Sequence, residues 1–540
     1  AALSAVAATP QAFSDWPDGL DPKTIGRRVV AQFQSTDPEG YQAKGFTGGK
    51  YGGGEYVCYS VASLWVNALQ FASVTGDAKL EESLVATARQ FLPGGKKGDK
   101  VPKARHVDFN VFGAVPLEAA ILTDRRDFLR MGMAYADDQW APPRPDDLSN
   151  FPKWLVSHYV PVEKQNAYLK DGYSGQTRLW IDDMYMINLL QTQAYRATRD
   201  RRYVARAAKE MCLYLDRLQL GNGLFNHAPD VPFRWGRGNG WMAAGMPLVL
   251  RYLKPSDAEY GKILAGYRRM MATLLKLQRP SGLWGQLVDD PDPRSWDETS
   301  GSLMFAYAFV MGCKHGWLDA ATYAPAARRA YLAVARSLDR YGNVPDVCCG
   351  TGAKSSREYY YDRTRINGDP HGQAPLLWCC VALLDYGNFD NAWEYPPEDC
   401  KLTDWQRTNP PCRMDKRLKL IEPVAQGEIR IVPTYVSCSV VWGSPELGDI
   451  ALEYREKGAS AWTVGERPIW FGDAANYRGS ILRLSEDTDY ELRLVSGGKA
   501  VASGAFRTWA SDVPVAKTVV VDPATAKYPI VVSDQGSPDG

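Results

Sequence analysis

The chain has 540 residues, 45% of them hydrophobic, and its 63 basic and 62 acidic residues leave a formal net charge of +1. This length and apolar content predict a sizeable buried core, and the lack of any run of about 18 apolar residues excludes a membrane-spanning helix. The balanced charge gives no extended field for nucleic acid or a membrane surface, so an anionic ligand would have to meet a few local cations.

Residues 1–50 are predicted to form an N-terminal extension. The chain begins with small and apolar residues, Ala1–Ala7, which resemble the remainder of a processed export signal or an artificial chain start. We therefore expect a secreted or periplasmic protein. The ten cysteines show no metal-ligand spacing, whereas Cys400 and Cys412 bracket a proline-rich loop and are candidates for a disulfide.

Residues 51–396 are predicted to form a catalytic (α/α)6 barrel. Apolar residues recur at helical spacing, as in residues 56–72; a polar turn follows, and a charged helix such as residues 201–217 begins. Asp or Ser in these turns can cap the second helix. The six turns are Thr75–Asp77, Thr123–Asp124, Thr198–Asp200, Lys254–Asp257, Gly316–Asp319 and Asn388–Asp390. Their irregular spacing favours a closed barrel over an open helical solenoid.

The pattern changes at Pro396, after which residues 397–425 are interpreted as a linker and residues 426–510 as a small all-β sandwich. Alternating strands are predicted at residues 428–432, 437–442, 450–454, 480–484, 490–494 and 504–508. The sandwich resembles a fibronectin type III module, because Leu484–Tyr490 is similar to the tyrosine-corner segment of such modules. Residues 511–540 are predicted to be a tail or a linker to a possible further domain.

Two carboxylates lie in the apolar, aromatic segment Trp180–Met186. If this segment opens an inner helix, one carboxylate points into the barrel mouth. A carboxyl group among Trp, Tyr and Met is poorly solvated, so we expect Asp182 to have a raised pKa and to carry a proton near neutral pH. Asp183 is interpreted as a residue of the first helical turn, where acidic side chains are favoured.

The second motif is Trp235–Trp241, in which three glycines permit close approach of backbone or ligand. Arg237 and Trp241 share one face if the segment is helical, since they lie four residues apart. A guanidinium beside an indole suits a sugar that bears a carboxylate, although Arg237 is also compatible with a structural ion pair. His227, on the preceding loop, is either a sugar contact or a structural histidine.

These motifs resemble those of the unsaturated uronyl hydrolases of glycoside hydrolase families 105 and 88. The matching segments are Trp180–Asp182, Trp235–Trp241, Glu298–Ser302 and Asp369–Gly372, in the family's order, and the resemblance covers residues 50–395. Family 105 is the nearer of the two because of Asn239. The resemblance implies an (α/α)6 barrel acting on oligosaccharides left by polysaccharide lyases, which carry a 4,5-unsaturated uronate at the non-reducing end.

The resemblance also implies roles for individual residues. Asp182 corresponds to the general acid/base and Asp108 to a helper carboxylate. The predicted substrate-binding residues are His227, Arg237, Trp241, Trp235, Trp180, Tyr185 and His371. The family's lysine before the catalytic aspartate has no clear counterpart, because residues 141–177 form an insertion. Asp183 would be unfavourable beside an anionic substrate unless it is turned away or paired.

The expected reaction is hydration of an enol ether. Protonated Asp182 gives its proton to C4, water deprotonated by the same carboxylate adds to C5, and the hemiketal opens. One carboxyl group serves both steps, so the usual spacing of two carboxylates is not required. We expect an anionic oligosaccharide as the partner, and neither a metal nor a cofactor.

Other functions remain open. The same barrel suits a hydrolase of saturated uronosides or a polysaccharide lyase, whose base would come from Tyr359–Tyr361 or from His371. A non-catalytic carbohydrate-binding or scaffold protein is a third hypothesis, which the fibronectin-like module favours.

Overall fold

The computed structural model describes residues 9–50, 54–386, 424–471 and 475–511. Two compact units, residues 1–412 and 413–540, make up the chain. The predicted turn at 388–390, Cys400, Cys412, most of the predicted linker and nearly all of the predicted tail lie outside the described residues.

The first unit is built from helices. They are α1 (Pro22–Gln34), α2 (Tyr59–Thr75), α3 (Ala78–Arg89), α4 (Val107–Asn110), α5 (Ala114–Thr123), α6 (Arg126–Asp138), α7 (Val162–Lys170), α8 (Asp183–Thr198), α9 (Arg201–Leu218), α10 (Gly236–Leu250), α11 (Tyr260–Leu277), α12 (Thr299–Lys314), α13 (Ala320–Ser337), α14 (Arg357–Tyr361) and α15 (Pro370–Leu384). None of the described helices is both long and apolar enough to cross a membrane.

Six of these helices form an inner ring. In ring order they are α2, α5, α8, α10, α12 and α15; each packs against the next, and α15 packs against α2. They are buried along nearly their whole length, because one side faces the ring and the other faces an outer helix. The predicted (α/α)6 barrel is therefore confirmed.

The outer ring consists of α3, α6, α9, α11, α13 and α1. These helices are amphipathic, with one buried apolar stripe; on α1 the stripe includes Ile25, Val29 and Phe33. The stripe of α1 packs against α15 and α2, so the sixth outer helix comes from the N-terminus. The sequence analysis had placed α1 in an N-terminal extension of residues 1–50, and the structure adds that this helix lies against the barrel, because an apolar stripe of this kind requires a partner surface.

The capping residues expected in the turns begin three of the outer helices. The side chains of Asp77, Asp200 and Asp319 accept hydrogen bonds from main-chain N–H groups in the first turns of α3, α9 and α13. Asp124 instead ends α5, in a left-handed conformation with φ of 54°. Local chemistry thus sets the positions at which the chain reverses between inner and outer rings.

Short strands accompany the helices of the first unit, and longer ones build the second. The first unit holds β1 (Trp284–Gly285), β2 (Asp297–Glu298), β3 (Val347–Cys348) and β4 (Arg365–Ile366). The second holds β5 (Ile429–Pro433), β6 (Ser437–Gly443), β7 (Ala451–Glu456), β8 (Thr463–Val464), β9 (Ile469–Phe471), β10 (Asn476–Leu482), β11 (Asp489–Ser496) and β12 (Lys499–Arg507).

The second unit has two four-stranded antiparallel sheets, in the orders β5-β6-β10-β9 and β12-β11-β7-β8. Alternate residues such as Leu452, Ile481 and Leu492 form its core. The hydroxyl of Tyr490 accepts a hydrogen bond from the Ser485 N–H at 2.9 Å, the type of contact that defines a tyrosine corner. The fibronectin type III assignment of this unit stays a prediction.

Candidate active site

The motifs found in the sequence all lie at the N-terminal ends of inner helices. Because inner and outer helices alternate along the chain, the inner helices run in one direction and their N-termini meet at the same end of the ring. This end carries Tyr59 on α2, Asp182 before α8, Arg237 on α10, Glu298 before α12 and His371 on α15. Asp108 joins them from α4, which leads into α5. We call this end of the barrel the mouth.

Asp182 and His227 face each other at the mouth. Asp182 Oδ2 lies 3.2 Å from His227 Nε2, and Asp182 retains 9% of its surface exposed. The contact is not aligned as a hydrogen bond, and neither atom has another hydrogen-bond partner among the described residues. On its other side, His227 Nδ1 lies 2.7 Å from the Tyr360 hydroxyl. Two buried polar atoms thus contact each other without an aligned hydrogen bond, which is unusual in a packed interior.

The pKa of Asp182 differs from the prediction. Burial alone would raise it, but contact with His227 and the positive charges of Arg178 and Arg237 outweigh burial and hold the pKa below its ordinary value. The expectation of a raised pKa was wrong, because it considered the apolar neighbours in the sequence and not the cations that the fold brings near.

Arg178 organises the carboxylates beside Asp182. Its Nη2 lies 2.5 Å from Asp183 Oδ1 and 3.2 Å from Asp108 Oδ1. Tyr214 donates a further hydrogen bond of 2.7 Å to Asp183 Oδ2. Asp183 is therefore fully buried and paired, which removes the difficulty of a second free carboxylate beside an anionic substrate. Asp183 lies in the first turn of α8, as the sequence indicated, and the side chain of the N-cap residue Asp182 makes no capping hydrogen bond.

Asp108 holds its proton more strongly than Asp182. Burial raises the pKa of Asp108 to about 6; Arg178 opposes this rise, and the neighbouring charges of Asp183 and Asp182 add to it. The two carboxyl groups that the sequence predicted as catalytic thus have pKa values shifted in opposite directions.

Arg237 is bound to the main chain and not free in the mouth. Its guanidinium is fully buried, donates to the carbonyl oxygen of Cys348 and, at 2.7 Å, to that of Cys349, and lies 4.6 Å from the centre of the Trp235 ring. Glu298, which caps α12, also accepts a hydrogen bond from the Cys348 N–H at 3.1 Å. The charge of Arg237 acts on Asp182 through space, but direct contact with a ligand would require rearrangement.

The glycines of the second motif serve helix packing. A Cβ on Gly301 would lie 2.7 Å from the main-chain carbon of Gly236, so α10 and α12 approach each other backbone to backbone. Asn239 donates to the carbonyl oxygen of Phe225 and accepts from its N–H, which fixes the loop that carries His227. Within the motif, Gly236 has main-chain atoms closest to it, whereas a Cβ on Gly238 or Gly240 would first meet side chains such as those of Ile181 and Met304.

The other predicted binding residues divide into two groups. Trp180 is half-buried at the mouth, with the Arg178 guanidinium 4.8 Å from its ring centre. Trp235, Trp241 and Tyr185 have at most 2% of their surface exposed. Tyr185 stacks on Trp378 with ring centres 4.4 Å apart, so its predicted role as a substrate contact is corrected to one in the barrel core.

Several residues of the mouth were missed by the sequence analysis. Arg178 could have been recognised from the sequence as a neighbour of the catalytic carboxylate, since it is a cation only four residues before Asp182. Tyr59 carried no such signal, because a tyrosine at a helix start is common and its partner His371 is far away in sequence. Tyr360 was considered only as a possible lyase base and not as the partner of His227.

A surface pocket of about 510 Å³ lies next to the mouth. Phe233 lines it and packs on Tyr360, the hydroxyl partner of His227, with ring centres 5.4 Å apart. Its other lining residues are Arg234, Leu287, Asp289, Asp290, Pro291, Asp292, Pro293 and Arg357.

The chain resembles known proteins in sequence and in fold. The profile described as Glycosyl Hydrolase Family 88 matches residues 59–386, more than half of the chain. The chain belongs to this family. The match begins at Tyr59 and ends after α15, so it spans all six inner helices.

Curated relatives of this family member match over shorter stretches. An unsaturated 3S-rhamnoglycuronyl hydrolase of Formosa agariphila is 32% identical over 116 residues, or 21% of this chain and 30% of the relative. An unsaturated rhamnogalacturonyl hydrolase of Bacillus subtilis is 27% identical over 189 residues, or 34% of this chain and 52% of the relative. The chain therefore spans about a third to a half of the length of these relatives.

Solved structures agree on the fold. A possible member of family GH105 from Klebsiella pneumoniae superposes with a TM-score of 0.54 at 19% identity and covers 71% of this chain and 98% of its own. Another from Salmonella enterica gives a TM-score of 0.54 at 18% identity, over 68% and 96% of the two chains. At these identities the likeness establishes the barrel and not the substrate.

Proposed function

We propose that this family member hydrolyses oligosaccharides produced by polysaccharide lyases and removes their terminal 4,5-unsaturated uronate. The observation that carries the proposal is the facing pair Asp182 and His227, whose polar atoms have no aligned partner at the mouth of a closed barrel. The names of the curated relatives, which are unsaturated uronyl hydrolases, support the same reaction class.

The proposed chemistry begins with proton transfer. Asp182, as general acid, protonates C4 of the enol ether, and positive charge develops at C5 and the ring oxygen. Water then adds to C5 as the same carboxylate takes its proton, and the resulting hemiketal opens and releases the sugar. Since one carboxyl group acts twice, no second carboxylate at glycosidase spacing is required.

Asp182 must gain a proton before it can act as an acid. In the free protein burial raises the pKa of Asp182, but the contact with His227 and the positive charges of Arg178 and Arg237 lower it by more. A bound uronate carboxylate would offset these positive charges and exclude water, and both effects raise the pKa of Asp182. Substrate binding therefore supplies the protonated acid, and Asp108 remains the carboxyl group that holds a proton in the free protein up to a pH of about 6.

The remainder of the substrate would extend toward the pocket beside Phe233. Both named relatives act on rhamnose-containing glycans, as their names say, so products of rhamnogalacturonan and ulvan lyases are the first to test. Glycosaminoglycan lyase products form the third class. We further propose that the protein works outside the cytoplasm, where polysaccharide lyases would release these oligosaccharides, and that the β-sandwich is a fibronectin-like spacer.

The decisive experiment follows the ultraviolet absorbance of the conjugated alkene in these products. The wild-type protein should remove the absorbance, and Asp182→Asn should lower kcat/KM by about 1,000-fold or more, because the variant has no proton to give. Asp216→Asn, the same change at an exposed ion pair with Lys262, is the matched control and should keep full activity.

The same assay separates the alternatives. A lyase would create the absorbance that a hydrolase removes. The side chains considered as a lyase base are already engaged, since the His371 imidazole contacts Tyr59 and Asp369, and the Tyr360 hydroxyl contacts His227. Full activity of Asp182→Asn would exclude Asp182 from the reaction.

A further inference from the structure

A second buried chain of polar groups ends at the mouth. Asp369 caps α15, and its Oδ1 accepts the main-chain N–H of His371 at 2.9 Å and lies 2.6 Å from Nδ1 of the same residue. Both side chains have at most 1% of their surface exposed. Because a buried carboxylate accepts hydrogen bonds, this contact places the imidazole proton on Nδ1 and leaves the lone pair on Nε2.

The tautomer of His371 in turn fixes the direction in which the Tyr59 hydroxyl points its proton. His371 Nε2 lies 2.6 Å from the Tyr59 hydroxyl, and the two rings pack edge to face with centres 5.1 Å apart. With its lone pair on Nε2, His371 accepts the hydroxyl proton of Tyr59. The hydroxyl of Tyr59 therefore presents oxygen lone pairs, and not its proton, to any other neighbour.

Tyr59 belongs to the same mouth as the catalytic carboxyl groups. It is the first residue of α2, is only partly buried, and interacts electrostatically with Arg237, Asp108 and Asp182. Burial raises the pKa of its hydroxyl well above the ordinary value, so Tyr59 stays neutral and does not act as a phenolate base. Its remaining capacity is to accept a hydrogen bond.

We propose that Asp369 and His371 are positioning residues for Tyr59, whose hydroxyl oxygen accepts a hydrogen bond from a hydroxyl group of the terminal uronate. The carboxylate and the double bond of that sugar offer no donor, whereas its ring hydroxyls do. This inference rests on the proposed function. It also replaces the predicted direct contact of His371 with substrate by an action through Tyr59.

The first test removes the acceptor. Tyr59→Phe should lower kcat/KM by about 10-fold to 100-fold, with a rise in KM, because a sugar hydroxyl is left without its partner. Tyr203→Phe is the matched control: it removes a hydroxyl that bonds Asp137 on the outer ring and should leave kcat/KM unchanged within about twofold. Unchanged kcat/KM or an unchanged KM in Tyr59→Phe would overturn the inference.

The second test reverses the chain of hydrogen bonds from Asp369 through His371 to Tyr59, which we call the relay, without removing any of its three side chains except by a conservative change at Asp369. In Asp369→Asn the amide nitrogen takes the place of Oδ1, which makes both contacts in the wild type, so the amide donates to Nδ1 and moves the imidazole proton to Nε2, and the capping hydrogen bond is lost. Tyr59 would then point its proton at the sugar. We expect Asp369→Asn to lose as much kcat/KM as Tyr59→Phe, and the double variant to lose no more than either, because all three act through one oxygen. Additive losses would overturn the relay.

A measurement without substrate completes the design. In protein labelled with ¹⁵N-histidine, the imidazole shifts of His371 should report the Nδ1–H tautomer in the wild type and the Nε2–H tautomer in Asp369→Asn, with His371→Gln used to assign the signals. An Nε2–H tautomer in the wild type would overturn the relay even if the protein is active. A wild-type protein inactive on every lyase product would overturn the proposed function, and with it the sugar hydroxyl as the partner of Tyr59, whatever the tautomer.

Discussion

Asp182 and Asp108 show how two buried carboxyl groups at one site acquire different charge states. Arg178 contacts Asp108 directly at 3.2 Å, yet burial and two neighbouring carboxylates raise the pKa of Asp108 to about 6. At Asp182 the contact with His227 and the positive charges of Arg178 and Arg237 outweigh burial and lower the pKa. Groups with pKa values pushed apart in this way are typical of acid and base pairs in enzymes.

A proton should be taken up when an anionic ligand binds. Because Asp182 is ionised in the free protein and its pKa rises when a uronate is bound, binding of a saturated uronate oligosaccharide should take up as much as about one proton near pH 6. Isothermal titration calorimetry in buffers of different ionisation enthalpy measures this uptake. It should be absent in Asp182→Asn. Uptake that persists in this variant, or none in the wild type, would assign the transferred proton to Asp108.

Asp108 should also make folding stability depend on pH. Its pKa is about 6 in the folded protein and 3.8 in its reference state, so the folded form binds more protons between these values. The stabilisation is complete below about pH 4 and is lost as pH rises through 6. Relative to wild type, Asp108→Asn should therefore become more stable with rising pH, by about 3 kcal/mol at most.

Urea unfolding at several pH values measures this difference. Comparing the two proteins cancels the contribution of Glu210, whose pKa burial raises to about 7 and which titrates in both. Asp216→Asn should show no such trend, and a pH-independent difference for Asp108→Asn would contradict the charge assignment.

At the scale of elements, the mouth depends on the close approach of α10 and α12. Gly236 and Gly301 meet there, and the same helix starts carry Arg237 and the cap residue Glu298. The motifs that characterise the family in sequence are thus largely helix caps and helix crossings. They hold the loops of His227 and Cys348 in place.

Gly301→Ala should be strongly destabilising. Its Cβ would lie 2.7–2.9 Å from main-chain atoms of Gly236 and Arg237, which cannot move without separating the two helices. We expect a loss of about 2–4 kcal/mol in the free energy of unfolding, measured by denaturant titration, together with reduced kcat.

The matched control is Gly261→Ala on the outer helix α11. A Cβ at that position meets open space, so the helix propensity of alanine should stabilise the protein by up to about 1 kcal/mol. Equal effects of the two substitutions would show that α10 and α12 do not pack as described.

At the scale of the molecule, the outer ring of the barrel is complete only when the N-terminus joins it. Four residues of α1, namely Ile25, Val29, Val30 and Phe33, are buried in the same core as the inner ring. Burial of each such side chain contributes about 1.5–3 kcal/mol, and a whole domain is stable by only about 5–15 kcal/mol. The α1 helix is therefore as necessary to the barrel as any helix of the repeat.

Removal of α1 should prevent stable folding. A fragment of residues 36–386 should unfold at a much lower temperature than one of residues 9–386, or aggregate, because α15 would expose its apolar outer face. Circular dichroism during heating compares the two fragments. Equal midpoints would show that the barrel does not need α1.

Much of the architecture could be predicted because it depends on local chemistry. Three features each involve residues within a few positions of one another: the helical periodicity, the six predicted strands, and the Asp caps at positions 77, 200 and 319. Strands β8 and β9 were missed since they have only two and three residues. Asp182 was found because a carboxylate inside an apolar segment is itself a local anomaly.

The sequence by itself determined the inner and outer helices, the family motifs and the residues at the helix starts, because each is encoded over one or two turns of chain. Only the tertiary structure decided that α1 completes the ring, that Arg237 is held by main-chain carbonyls, and that the pKa of Asp182 falls. These outcomes arise from contacts and charges between residues tens to hundreds of positions apart. Coulomb interactions and packing act through space, and no local pattern reports which distant groups the fold brings together.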